Sequence, residues 1–134
     1  RLSGLTVTTE EGRLNEEVAE RLRTRIDVQF DGNDLESVLN FIRDVTGVNM
    51  FVNWRALQGE GVEPDTPINL RLDGVPADQI LRMVLGQASA DAEFNPVEFS
   101  IVDGIVTIST RRDLTRTTMT RMYDIRDLRR SAGL

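Results

Sequence analysis

The chain has 134 residues, 40% of them hydrophobic and 28% charged, which fits one compact domain with extensions. It contains no His, no Cys and no Lys, so thiolate and imidazole catalysis, disulfides, the usual zinc sites and Schiff-base chemistry are excluded. The net charge of −6 is uneven: residues 1–110 hold nine Arg against nineteen Asp and Glu, residues 111–134 seven Arg against three Asp.

The acidic body argues against nucleic acid as a partner. The basic end reads as a solvated connector, the alternative being a segment that steers an acidic partner or lies on a membrane surface. No apolar run approaches the roughly 20 residues needed to cross a bilayer as a helix. With Arg1 in first place, the chain reads as an excised segment or mature fragment.

Residues 1–12 are mostly polar, with a short extended piece expected around Leu5–Val7. A lead-in helix is predicted from Asn15, which would cap it, with Glu16 and Glu17 in its first turn and Arg21, Arg23 and Arg25 at its end. That charge order suits the helix dipole. Leu14, Val18 and Leu22 form one narrow stripe able to dock on the body.

The next stretch occurs twice. Ile26–Arg43 lies over Ile68–Leu85 at a constant offset of 42 residues, with Ile26/Ile68, Asp31/Asp73, Gly32/Gly74 and Leu39/Leu81 identical. Each copy reads as a short alternating strand, an Asp-Gly turn and an amphipathic helix. Ile26, Val28 and Phe30 should face a core while Asp27 and Gln29 face out. Asn33 and Glu36 form a capping-box pattern at the first helix, and Gly47 ends it; the second helix is expected to start with Pro76 at its first position. The carboxylates around Asp31 and Asp34 lack the calcium-loop pattern and read as turn and capping residues.

The helical stripes span arcs of about 160° and about 200°, too wide for a helix with its back to water. They predict two helices packed side by side and covered on two faces, with Phe41 and Met83 in the core, the alternative being exposed anchors for a partner. Between the copies, Val48–Trp54 alternates as a strand, and Trp54 is expected to cover the rim of the core. Arg55–Pro67 is a turn-rich connection with a helical turn at Arg55–Gln58. After the second helix, Asp103-Gly104 between apolar alternating runs predicts a two-residue hairpin, with Ile101 facing Val106 and Phe99 facing Ile108. Pro96 belongs at the start of that strand or on a sheet edge. Thr117–Leu128 looks extended at first and lies outside the closed unit.

This order, strand–helix–strand–strand–helix–strand–strand with two related halves, resembles the short N-terminal domain shared by secretins and TonB-dependent receptors. The resemblance covers about Ile26–Thr110. It is carried by IDVQFDGNDLESVLNFIRDVTGVNMFV, then INLRLDGVPADQILRMVL, then IVDGIVTIST, with YDIRDL similar to the family's exit segment. The departures are the acidic lead-in helix and the longer Arg55–Pro67 loop.

The resemblance implies an α+β fold, βαββαββ, in which two side-by-side helices are sandwiched between a two-stranded and a three-stranded sheet. Residues 1–25 would be an N-terminal extension, 26–110 the family-like domain and 111–134 a connector toward a following domain. It further implies a non-enzymatic, periplasmic protein–protein interaction domain of a larger cell-envelope protein, with no cofactor, metal or small-molecule substrate. The partner would be an inner-membrane assembly component or an anti-sigma regulator. Membrane association would come only through the parent protein.

The expected contact residues are the outward side chains of the small sheet, Asp27, Gln29, Asn69 and Arg71. An alternative is a structural spacer or ring-forming module whose neighbours are copies of itself. A third reading, an enzyme using Asp73 and Asp78 as a carboxylate pair, competes with plain turn and helix-start roles for both residues.

Overall fold

The computed structural model describes residues 10–89 and 94–116. The expected extended segments at Leu5–Val7 and Thr117–Leu128 lie outside the described residues. The elements are α1 (Glu10–Arg21), β1 (Arg25–Asp34), α2 (Leu35–Thr46), β2 (Asn49–Val52), α3 (Trp54–Gly59), β3 (Pro67–Pro76), α4 (Ala77–Ala88), β4 (Val97–Val102) and β5 (Ile105–Thr110). Residues 111–116 form a closing helical turn. Strands β1 and β3 pair antiparallel into one sheet; a second sheet has the order β2-β5-β4, with β2 parallel and β4 antiparallel to β5. The chain is thus an α+β protein with the predicted βαββαββ order.

One core joins the layers. Helix α4 packs on β3 on one side and β4 on the other, while α2 packs on β1 and on α4. Leu35, Val38, Leu39 and Ile42 of α2 and Ile80, Leu81, Val84 and Leu85 of α4 are buried, together with Val106 and Ile108 of β5. Burying each such side chain contributes about 1.5–3 kcal/mol. Phe41 and Met83 do not join them. They are 40% and 42% exposed, a correction to the core assignment. A two-stranded sheet is too narrow to cover the whole apolar arc of two adjacent helices, so the outermost position of each stays in water.

The sequence repeat is also a repeat in hydrogen bonding. The first two amides of α2 donate to the loop before β3, Leu35 N to Thr66 O and Glu36 N to Pro64 O, both at 2.9 Å. The first two amides of α4 donate to the segment before β1, Ala77 N to Thr24 O and Asp78 N to Leu22 O, again at 2.9 Å. All four pairs interconvert under the offset of 42 residues. The strand register obeys the same exchange, since Arg25 pairs with Pro76 and Asp34 with Pro67. Gln29 and Arg71 exchange with one another and pair directly, so the internal twofold passes between them.

This arrangement replaces the capping box. A helix N-terminus leaves amides without intrahelical partners, and here each half satisfies the other's. Asp34, not Asn33, is the cap position of α2 and makes no side-chain cap bond, while Pro76 is the cap position of α4 and the helix itself starts at Ala77. The Asn33 side chain instead accepts from Asp31 N at 2.8 Å.

Nor are Asp31-Gly32 and Asp73-Gly74 turns that end strands. Both sit inside ten-residue strands, at the two places where the register shifts, with Gly32 at φ 74° and Gly74 at φ 63°. They are β-bulges, for which a glycine in left-handed geometry is the usual residue. Asp103-Gly104 is the predicted hairpin: both residues have positive φ, and Ile101 faces Val106 and Phe99 faces Ile108. Gly47 ends α2 at φ 73°, its amide bonded to Arg43 O.

The lead-in helix docks as its stripe predicts, with Val18 and Leu22 buried. It starts at Glu10, so Asn15 lies in its interior and is not its cap. Asn15 Oδ1 accepts from Gly104 N at 2.7 Å, latching α1 to the β4–β5 turn. Arg21 Nη1 donates to Gly47 O at 2.8 Å and ties the other end of α1 to the end of α2. Trp54 packs against the core as a half-buried rim residue and opens α3, where the Asn53 side chain accepts from Ala56 N. Pro96 precedes β4, which is an edge strand.

Asp113 holds the closing turn on the body. Its carboxylate accepts from Ser109 Oγ at 2.7 Å and Asn53 Nδ2 at 3.2 Å and pairs with Arg116. The Ser109 hydroxyl first, and then the Asn53 amide and the Arg116 guanidinium, hold the carboxyl below its ordinary value of 3.8, against a smaller opposing effect of burial. A carboxyl whose folded-state pKa is depressed contributes stability above its unfolded pKa, lost as pH falls through the folded one. The clasp is therefore expected to be complete above pH 3.8 and to open at lower pH. NMR shifts of Ser109 and Asn53 followed through an acid titration check this, and in Asp113→Asn that acid transition should vanish.

Candidate functional site

The outward surface of β1 and β3 is where the sequence placed the contact residues, and the fold brings them together there. Asp27 and Gln29 on β1 and Asn69 and Arg71 on β3 are all exposed, while Ile26, Val28 and Ile68 beside them are buried. Strand alternation does this: successive side chains take opposite faces of the sheet. Gln29 lies opposite Arg71 and Asp31 opposite Asn69. The patch mixes amide, guanidinium and carboxylate groups, a surface suited to polar contacts with another protein.

Two of the four are also engaged within the sheet. Asp27 Oδ1 accepts from Gly74 N at 2.6 Å, while Arg25 Nη1 donates to Gly74 O at 2.8 Å. The bulge in β3 is thereby clamped from β1. Asn69 is held through its main chain by Gln87 of α4. Gln87 Oε1 accepts from Asn69 N at 2.6 Å, and Gln87 Nε2 donates to Asn69 O at 2.8 Å. A side-chain amide that satisfies both main-chain groups of one residue imitates a neighbouring strand and closes the edge at that point.

The internal twofold carries Asn69 to Asp27 and Gln87 to Val45. Val45 has no group with which to close the edge of β1, and it is 43% exposed on α2. Between β1 and α2 lies a groove of about 410 Å³, lined by Asp27, Gln29, Asn33, Ser37 and Phe41 among others. Phe30 meets Phe41 edge to face at 5.8 Å between ring centroids, forming an apolar wall. Sequence reasoning missed Val45 and Gln87 and preferred the core over exposure for Phe41. The signal for the first two lay close by: two residues beyond Arg43 and Leu85, the repeat sets Val45 against Gln87, an apolar residue against an amide.

A second groove runs between α4 and β4, lined by Arg82, Leu85, Phe99 and Arg111 among others. Arg82 lies over the Phe99 ring at 5.3 Å, and Arg111 bonds Glu98 through two nitrogens. Asp73 is exposed on β3, and Asp78 in the first turn of α4 lies 3.6 Å from Arg82. Among the described residues no three acidic side chains converge as a metal would require, and no helix is long and apolar enough to cross a membrane. Comparison with protein-family models, with curated proteins and with solved structures returns no match to the chain.

Proposed function

We propose that the chain is a non-enzymatic docking domain of a larger envelope protein, similar in role to the short N-terminal domain of secretins and TonB-dependent receptors. It recognises another protein through the outer face of β1 and β3. The observation that carries the reading is the small sheet itself. Among the described residues it is a two-stranded sheet covered by helices on one face, and its other face presents Asp27, Gln29, Asn69 and Arg71 around an internal twofold. A polar, solvated sheet face with free strand edges is a recurrent means of binding another chain. The strand and helix order that carried the resemblance supports the same reading. A periplasmic setting, with an assembly component or an anti-sigma regulator as partner, is part of the proposal.

The test is a pull-down with the native neighbouring protein, comparing the natural chain with Gln29→Ala/Arg71→Ala. Both side chains are exposed, so the fold should survive, with surface changes of this kind costing within about 0.5 kcal/mol. Partner affinity is expected to fall about tenfold or more, corresponding to the loss of one or two good polar contacts. Unchanged affinity would rule out this face. Light scattering over a concentration series separates docking from ring formation, because a spacer module would assemble with copies of itself and a docking domain would not.

A further inference from the structure

The groove between α4 and β4 has an open strand edge along it and the chain's own continuation beside it. Its volume is about 620 Å³, and Leu85, Gly86, Val97, Phe99 and Ile101 give it apolar walls along the free edge of β4. We infer that residues 117–128 of this same chain close the groove, adding a fourth strand beside β4 with Tyr123 and Ile125 turned inward. The inference concerns the larger sheet and stands apart from the docking role proposed for β1 and β3.

Position, pattern and charge select that occupant. Strand β5 ends beside the first residue of β4, with Thr110 paired to Val97, and Arg111 N donates to Pro96 O at 2.8 Å. Arg111 itself lines the groove, and the helical turn 111–116 carries the chain only about 8 Å further along its axis. From there six extended residues reach about 20 Å, the length of β4 itself, so residues 117–128 can run along the whole strand, parallel to it. An open strand edge offers main-chain donors and acceptors that another extended main chain satisfies.

Alternation puts Met119, Tyr123 and Ile125 on one face of the added strand. Arg121 shares that face, with a stem long enough to carry its charge out to water. Opposite them α4 leaves room at Gly86, where nothing lies within 4 Å of an added Cβ. The charges at the rim are already paired, Arg82 with Asp78 and Arg111 with Glu98, so the groove asks for no net charge. Residues 117–128 bring none, since Arg121 and Arg126 balance Asp124 and Asp127. Tethered to the groove, the segment has an effective concentration on the order of millimolar, which favours it over a second copy or a separate protein.

Tyr123 is the only tyrosine, so fluorotyrosine labelling gives the full chain a single fluorine resonance. That resonance should stand apart from its position in urea, and amides on the free edge of β4 should exchange slowly. Tyr123→Asp/Ile125→Asp should speed exchange there at least tenfold and leave β1 and β3 unchanged. Gly86→Leu fills the groove from the other wall, and leucine is the better helix former, so the body should keep its circular dichroism. It should move the fluorotyrosine resonance to the urea position and speed exchange along β4 equally, while Gly86→Ala changes neither. A natural chain whose resonance already sits at the urea position would overturn the inference. So would β4 exchange indifferent to Tyr123→Asp/Ile125→Asp, or a Gly86→Leu variant that behaves as the natural chain. Protection that fades on dilution together with a dimer in sedimentation would assign the groove to a second copy and overturn it as well.

Discussion

Leu81→Ala should lower the stability of the folded chain by about 3–4 kcal/mol, within the range for removing a leucine from a packed interior. Leu81 is 0% exposed on α4, the helix with one sheet on either side. Neither sheet can close on the missing volume without dragging the helix off the other, so the cavity should persist and the loss should exceed simple transfer. A domain of this size holds about 5–15 kcal/mol in all, which makes this a large fraction. Urea unfolding followed by circular dichroism should show a lower midpoint with an unchanged slope, meaning less stability and the same exposed surface. Leu39, the repeat-equivalent residue on α2, is 1% exposed and should respond similarly. A loss below about 1 kcal/mol for both would show that the helices are not enclosed between two sheets.

The second large effect is expected at Gly104. Its φ of 79° costs a residue with a side chain about 1–2 kcal/mol. A Cβ there would also stand 3.0 Å from Leu14 Cβ of α1, a backbone-proximal atom that cannot swing away. Gly104→Ala should therefore cost about 2–3 kcal/mol and loosen α1, because the turn must move away from Leu14 and from the Asn15 latch. Gly32→Ala is the natural comparison. It has nearly the same φ, 74°, but nothing within 4 Å of its Cβ, so only the backbone cost of about 1–2 kcal/mol applies. Thermal unfolding of both variants, with amide exchange along α1, separates the two contributions. Similar losses in the two, with α1 still protected in Gly104→Ala, would mean that α1 is not clamped on the hairpin.

The proposed docking face is partly legible in the sequence. Asp27 and Gln29 are assigned outward by the period-two run Ile26, Val28 and Phe30, and Asn69 and Arg71 by Ile68, Leu70 and Leu72, because alternation leaves no other place for them. Phe41 was misassigned because a helical stripe reports the arc that is apolar, not the width of the layer that will cover it. Val45 and Gln87 could not be weighed at all by local pattern. Gln87 matters only because its helix and the edge of β3 meet in space.

What the sequence by itself determined was the kind and order of elements. The period-two and helical apolar patterns, Gly47 as terminator, the Asp103-Gly104 hairpin and the 42-residue repeat are local or nearly local signals, and each appears in the structure, with shifted ends: α1 begins at Glu10 rather than Asn15, and β2 stops at Val52 before Trp54 opens α3. The tertiary structure alone decided how the ends of those elements are satisfied. Leu35 and Glu36 donate to Thr66 and Pro64, Ala77 and Asp78 to Thr24 and Leu22, and the two Asp-Gly pairs of the repeat become bulges within long strands. The physical reason is that helix-end amides and strand edges carry no preference for a partner near in sequence. They bond whatever the packed halves bring within reach, and here each half brings the other.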